Sequence, residues 1–110
     1  ILPRLVGSEM CIRDRPKGYW IAKANIFDDK KLLSYARQAE VAIEKFGGKF
    51  LVRGGRHVTK EGADFARNVV VEFDSFDIAL DAYGSPEYKK ALRLLKGGAD
   101  RMYAVVEGYE

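Results

Sequence analysis

Two charged residues stand in segments that otherwise have the composition of buried β-strands. Arg53 follows Phe-Leu-Val, and Glu72 stands inside the run Val-Val-Val-Glu-Phe. A charged side chain in a buried strand must be paired, solvated in a cavity or shifted in pKa. Because the two strands are consecutive and expected to be neighbours, we predict that Arg53 and Glu72 face each other across them. In a functional site, Arg53 would hold an anionic group of a substrate and Glu72 would move a proton. In a structural role, they would form an ion pair at a sheet edge or dimer interface.

The single histidine is a second candidate for proton transfer. His57 follows the glycine pair Gly54-Gly55, in a segment that has the composition of a loop. An imidazole titrates near neutral pH, and loops at the ends of strands often carry functional groups. We therefore predict His57 as a candidate general base, with an ordinary surface histidine as the alternative.

Four further residues are candidates for contacts with a substrate. Arg67 begins the Val-rich strand, and Trp20 lies on the first strand of the domain. Tyr83 and Tyr88 flank a break between two helices, where their hydroxyl groups could reach a pocket. The alternative for the tyrosines is packing in the core.

Several kinds of chemistry are excluded by the residue types present. One histidine and one cysteine, with carboxylates scattered along the chain, do not predict a zinc or iron site. The chain has no phosphate-binding loop, dinucleotide fingerprint or nucleophile elbow. We therefore expect no metal and no cofactor.

The balance of charged and apolar residues also limits the partners and the compartment. The formal net charge is +3, but basic and acidic residues are mixed along the chain, so no nucleic-acid partner is expected. No apolar run approaches the ~18 residues of a membrane span. The only cysteine, Cys11, cannot form an internal disulfide, which favours a reducing compartment such as the cytoplasm.

Hydrophobic periodicity and helix-capping residues predict seven elements. Strands are expected at residues 18–26, 49–54, 67–73 and 102–107. A helix capped by Asp28 or Asp29 should run to Gly47-Gly48, and two shorter helices should begin after Asp74 or Ser75 and after Ser85. The order β-α-β-β-α-α-β predicts an α+β protein with the ferredoxin-like split βαβ plan.

The predicted strands carry apolar residues on both faces, whereas helices can cover only one face of the sheet. Trp20 and Ile21 illustrate this in the first strand, and Val105 and Val106 in the last. A bare apolar sheet face of that size is an association site. Face-to-face packing of two sheets would bury it and enclose a space, so we expect a homodimer with a cavity between its sheets.

Short blocks along the chain carry a family resemblance. They are Lys17-Gly18-Tyr19-Trp20-Ile21-Ala22, Arg53-Gly54-Gly55, Glu61-Gly62, RNVVVEF at 67–73, YGSPEY at 83–88 and Val106-Glu107-Gly108. Together they resemble the domain of unknown function 1330 family, within the dimeric α/β-barrel superfamily. The resemblance covers residues 17–110 and implies a ferredoxin-like βαββαβ sandwich that forms a dimeric barrel. Superfamily members include cofactor-independent monooxygenases, isomerases and dehydratase-like enzymes, so an enzyme is reasonable by analogy.

Three functional hypotheses follow from these observations. The first is a small cytoplasmic homodimer that binds or converts a small organic molecule, oxygenated or anionic, in the cavity between its sheets. The second is a non-catalytic ligand-binding, structural or stress-associated homodimer. The third is a subunit of a larger assembly. Fold alone does not choose among them.

Residues 1–16 differ from the rest of the chain. They follow no helical or strand period, and the stretch VGSEMCIRDR at 6–15 resembles translated sequencing-adaptor read-through from a metagenomic assembly. We therefore expect residues 1–16 to be a non-native or disordered segment and residues 17–110 to form a single domain.

Deleting residues 1–15 should leave the melting temperature unchanged, because the segment is not expected to pack on the domain. Thermal denaturation of the full chain and the truncated chain, followed by circular dichroism, checks this expectation. A drop of several degrees in the truncated chain would show that the segment belongs to the fold.

Overall fold

The computed structural model of the protein describes residues 16–109. The N-terminal segment singled out above lies outside these residues apart from Pro16, and so does Glu110. The described chain forms seven elements: β1 (Gly18–Ile26), α1 (Asp29–Lys45), β2 (Lys49–Arg53), β3 (Arg67–Phe73), α2 (Phe76–Tyr83), α3 (Pro86–Leu95) and β4 (Ala99–Glu107). The predicted order is confirmed. The last strand begins at Ala99, three residues earlier than predicted, directly after the Gly97-Gly98 turn.

Each helix begins at one of the predicted caps. The Asp28 carboxylate accepts hydrogen bonds from the backbone amides of Lys30 and Lys31 at 3.0 and 3.1 Å. Ser75 and Ser85 cap α2 and α3 in the same way. These side chains satisfy amides that have no partner inside the first helical turn, and so fix where each helix starts. No helix within residues 16–109 combines the length and hydrophobicity that crossing a bilayer requires.

The four strands form one antiparallel sheet in the order β2-β3-β1-β4. This is the predicted ferredoxin-like arrangement, with β3 and β1 in the centre. The helices cover one face, which carries Trp20, Val71 and Phe73, each only 1% exposed. The Trp20 indole donates to the Ala79 carbonyl at 2.9 Å, which ties β1 to α2. Within residues 16–109 no element covers the other face, so the described sheet has one helix-covered face and one open face.

A β-bulge at Leu51 changes the face on which Arg53 lies. Lys49 pairs with Glu72 and Phe50 with Val71, but after the irregularity Arg53 pairs with Val69. The extra residue reverses the alternation of side chains along β2. Arg53 therefore lies on the helix-covered face, whereas Glu72 lies on the open face. The expectation that Arg53 and Glu72 face each other is wrong for this reason.

Gly18 permits the close approach of β1 to the start of α2. A Cβ atom at this position would lie 2.3 Å from the Ser75 carbonyl oxygen and 2.7 Å from the Phe76 Cα. Gly18→Ala should therefore lower the free energy of unfolding by about 1–3 kcal/mol, as overpacking against a fixed backbone does. Urea denaturation followed by the fluorescence of Trp20, the only tryptophan, measures this change.

Gly55→Ala is the matched control, since no atom lies within 4 Å of a Cβ built there. It should change stability by no more than about 0.5 kcal/mol. Equal stability of the two variants would contradict the close packing of Gly18.

Candidate functional site

A cavity of about 50 Å³ lies between α1 and the helix-covered face of the sheet. Small side chains face each other there: Ala22 and Ala24 from β1, and Ala36 and Ala39 from α1. Larger residues at these positions would fill the space, so the alanines account for the cavity. We predicted a cavity on the opposite face, between the sheets of two copies. The cavity found within the single chain lies on the helix side.

Apolar side chains form most of the cavity wall. The aromatic and aliphatic members are Trp20, Ile26, Leu32, Tyr35, Ile43, Phe50, Val69, Val71, Leu95 and Tyr103. Three arginines complete the lining, and they come from three different strands: Arg53, Arg67 and Arg101. An apolar pocket with a few polar groups placed at one end is the usual form of a small-molecule site.

The register of the sheet brings two of these arginines together. Ala24 pairs with Arg67 on one side and with Arg101 on the other. The three residues therefore form one row across β3, β1 and β4, in which the two arginine Cα atoms are about 10 Å apart, twice the spacing of neighbouring strands. The short Ala24 side chain leaves the space between the two arginines open.

Arg53 differs from the other two arginines because a carboxylate neutralises it. Its Nη1 atom lies 2.9 Å from Glu40 Oε2 on α1, and its guanidinium lies 4.2 Å from the centre of the Phe50 ring. The geometry is that of a half-exposed structural ion pair. Arg53 thus lines the helix-side cavity, and its partner is Glu40 and not Glu72.

Arg67 lies against the backbone of Gly54. A Cβ atom at Gly54 would come 2.8 Å from Arg67 Nη1, and Gly54 has a φ of +69°, which favours glycine. Within residues 16–109, no carboxylate comes within salt-bridge distance of the Arg67 guanidinium. Gly54 therefore makes room for a positively charged group that lacks a protein counterion in this part of the chain.

Arg101 is held by tyrosines. Its guanidinium lies 5.0 Å from the centre of the Tyr35 ring and 4.9 Å from that of Tyr103, and its Nη1 donates to the Tyr35 hydroxyl at 3.0 Å. The Tyr35 hydroxyl also bonds to the Tyr88 hydroxyl at 2.5 Å. Over the described range, Arg101 has no carboxylate partner either.

The electrostatics of this cluster preserve the charge on Arg101. Burial raises the pKa of Tyr88 and of Tyr103 far above the ordinary value, so both remain neutral at physiological pH. Burial opposes the charge on Arg101, but the neighbouring Tyr35 and Tyr88 hydroxyls outweigh it and the pKa of Arg101 is raised. The cavity end formed by Arg67 and Arg101 is thus positively charged, with neutral hydroxyl groups around it.

Of the three aromatic residues predicted to contact a substrate, Trp20 lines the cavity, whereas Tyr83 and Tyr88 do not. Trp20 forms part of the wall. Tyr88 is fully buried behind Tyr35, and Tyr83 packs edge-on against Trp20 with ring centres 6.0 Å apart. The two tyrosines therefore support the wall and do not line it, which is the core-packing alternative considered above.

Glu72, predicted as a catalytic residue, lies on the open face of the sheet. Its Oε2 atom accepts a hydrogen bond from the Tyr19 hydroxyl at 3.1 Å. Partial burial and this bond to Glu72 raise the pKa of Tyr19 above its ordinary value. The structure gives Glu72 a partner on the open face, on the opposite side of the sheet from the cavity.

His57 lies in the loop between β2 and β3, outside the cavity lining. Its Nε2 atom is 3.6 Å from Asp64 Oδ1, which also accepts from the Thr59 hydroxyl at 2.7 Å. The hydrogen bond from Thr59 lowers the pKa of the Asp64 carboxyl, and the contact with His57 lowers it further. Among the described residues, no three His, Cys, Asp or Glu side chains form a group that could hold a metal ion.

Three residues of the site were missed in the sequence: Arg101, Tyr35 and Tyr103. The sequence prediction begins the last strand at residue 102, whereas the strand in the structure begins at Ala99 and includes Arg101. The signal was the alternation Arg101-Tyr103-Val105 after the glycine stop, which places all three on one face. Tyr35 lies on α1, one helical turn after the predicted apolar residue Leu32.

Solved structures of similar fold include proteins of known and of unknown function. A protein of unknown function from Rhodopseudomonas palustris, RPA0582, has a TM-score of 0.70 and 13% sequence identity, over 94% of this chain and 95% of that one. SnoaB, a cofactor-independent oxygenase from Streptomyces nogalater, has a TM-score of 0.59 and 9% identity, over 86% of this chain and 95% of that one.

A dimeric protein of unknown function with a ferredoxin-like fold, from Bacteroides fragilis, has a TM-score of 0.55 and 17% identity, over 83% of this chain and 95% of that one. At these identities the likeness concerns the fold alone. No curated protein resembles the chain closely enough to count as a match.

The family comparison agrees with the blocks identified in the sequence. The family described as "Domain of unknown function (DUF1330)" matches residues 17–109, which is most of the chain. The chain therefore belongs to this family, the domain of unknown function DUF1330.

Proposed function

We propose that the protein binds a small organic anion in the cavity between α1 and the sheet. One observation carries the proposal: Arg67 and Arg101 flank Ala24 in one row of the sheet, and neither has a carboxylate partner in the described chain. A half-buried charge without a counterion costs stability. A bound anion would supply the missing counterion and would offset that loss of stability.

In the enzymatic version of this proposal, the protein converts the anion that it binds. Tyr35 is the cavity's candidate for moving a proton, because its hydroxyl accepts from Arg101 and is shared with Tyr88. A hydroxyl held between a guanidinium and a second hydroxyl is positioned to exchange a proton with a bound molecule. The fold is shared with SnoaB, a cofactor-independent oxygenase, which makes an enzyme reasonable by analogy. Non-catalytic binding uses the same arginines without the proton transfer.

We also propose that the protein is a homodimer that packs through the open sheet face. That face carries exposed apolar side chains, including Ile21 (39% exposed), Met102 (58%) and Val106 (40%). Covering them with a second copy would remove contiguous apolar surface from water. The dimeric ferredoxin-like neighbour from Bacteroides fragilis supports a dimer as such, and the choice of the open face rests on its exposed apolar side chains. The cavity lies on the other side of the sheet, so binding does not need the second copy to complete its lining.

Arg101→Met should abolish most anion binding while leaving the fold intact. Loss of one charge-assisted hydrogen bond of about 1.5–3 kcal/mol corresponds to a roughly 10- to 100-fold weaker affinity. Titration with hexanoate, succinate and methylphosphonate, followed by Trp20 fluorescence, measures the effect because the only tryptophan lines the cavity.

Two variants serve as controls for this titration. Arg37→Met removes the same charge from the exposed surface of α1, and Glu72→Gln removes a charge from the open face of the sheet. Both should titrate like the unmodified protein. The proposed function is wrong if none of the three organic anions changes Trp20 fluorescence, or if Arg101→Met binds them as well as the controls do.

Ile21→Glu should convert the dimer to a monomer, because it places a charge in the centre of the open face. Leu33→Glu is the matched control, since Leu33 is an exposed aliphatic residue (58%) on α1, away from that face. Size-exclusion chromatography with light scattering distinguishes the two states. If Ile21→Glu stays dimeric, or if Leu33→Glu dissociates instead, the dimer uses another surface.

A further inference from the structure

We propose that the ligand is a short-chain monocarboxylate, with its carboxylate between Arg67 and Arg101 and its apolar chain pointing towards Trp20. This inference rests on the proposed function and adds the chemical class and the orientation of the ligand. It follows from how charge, wall chemistry and space are distributed along the cavity.

The positively charged end of the cavity suits a single planar anion. Guanidinium groups present paired N–H donors in a fixed fork, which matches the two oxygens of a carboxylate. The Cα atoms of Arg67 and Arg101 lie on either side of Ala24 in one row of the sheet, and both side chains line the cavity. Arg53 does not add a third free charge, because Glu40 already neutralises it.

The deeper part of the cavity has no cation for a second acidic group. Four residues before Ala24 on β1, Trp20 pairs with Val71 on β3 and with Val105 on β4. Of these residues, Trp20 and Val71 line the cavity, and with Ile43 of α1 they offer only apolar surface, apart from an indole N–H that already donates to Ala79. A dicarboxylate would have to bury its second charge against this wall, which is costly. The ligand class is therefore a monocarboxylic acid whose remaining part is an apolar chain.

The space available limits the length of that body. Residues on one face of a strand advance about 6.7 Å for every second residue, so the arginine row and the Trp20 row are about 13 Å apart. The cavity volume is about 50 Å³. A water-sized atom group occupies roughly 10–15 Å³ on this measure, so about four carbon atoms fit beyond the carboxylate. This corresponds to acids of about four to six carbons.

The test is a titration of the full-length protein with the sodium salts of the straight-chain acids from acetate to octanoate. Trp20 fluorescence and backbone amide chemical shifts report binding. Affinity should rise about fourfold with each methylene that enters the cavity. The rise should stop at about pentanoate or hexanoate, where the space is full. Hexanamide, which has the same body without the charge, should bind at least about tenfold more weakly than hexanoate.

A variant that shortens the cavity supplies a second, independent measurement. Ala36→Leu adds volume to the α1 wall at a position that is only half buried, so the fold should accommodate it. The preferred acid should become shorter by about one to three carbons in this variant. Thermal denaturation confirms that the variant is folded, and if it is not, the chain-length series on the unmodified protein decides alone.

The outcomes separate this inference from the proposed function. If succinate or methylphosphonate binds in an Arg101-dependent way and no monocarboxylate does, the anion site stands and the ligand class is wrong. If affinity does not change with chain length, or keeps rising through octanoate, the apolar body does not lie in the cavity. If none of the anions binds, both proposals fall.

Discussion

The pairing of β1 with both of its neighbours is the constraint on which the rest of the structure depends. β1 is flanked by β3 and β4, and its register with each decides which side chains share a row. On the helix-covered face, β1 carries one large residue, Trp20, followed by two small residues, Ala22 and Ala24. The anchor fixes the strand to α2, and the small residues leave room above the sheet. Alternate residues on one face of a single strand thus supply both the core anchor and part of the cavity wall.

The charge distribution of the cavity costs stability, and the proposed anion binding would offset that cost. A methionine or leucine at position 67 or 101 would fill space without the cost of desolvating a cation. The molecule instead surrounds Arg101 with tyrosine rings and a hydroxyl acceptor, which support the guanidinium without neutralising it. Arg53 shows the contrasting solution, since Glu40 cancels its charge. The same side chain type therefore serves an ion pair on β2 and an open cation site on β3 and β4.

Much of the fold could be predicted from the sequence because its signals are local. Asp28, Ser75 and Ser85 mark helix starts through hydrogen bonds to amides two or three residues away. The family blocks then identified the topology. The site was harder, because it depends on which strands are neighbours and in what register. Trp20, Arg53 and Arg67 were identified by residue type, whereas Arg101 was missed because it lies beyond a strand boundary placed too late. The partner of Arg53 could not be predicted, because nothing in the composition of β2 shows that it contains a bulge.

That bulge gives one backbone residue an influence on two surfaces. If the same five residues paired without the bulge, simple alternation from the Lys49–Glu72 pair would place Arg53 opposite Asn68, on the open face. The same guanidinium would then belong to the surface proposed for dimerisation and not to the cavity wall. The bulge thus decides whether the Arg53 cation belongs to the cavity wall or to the open face, with no side chain replaced. In related chains, the presence or absence of a bulge in this short strand is therefore as informative about function as the identity of its residues.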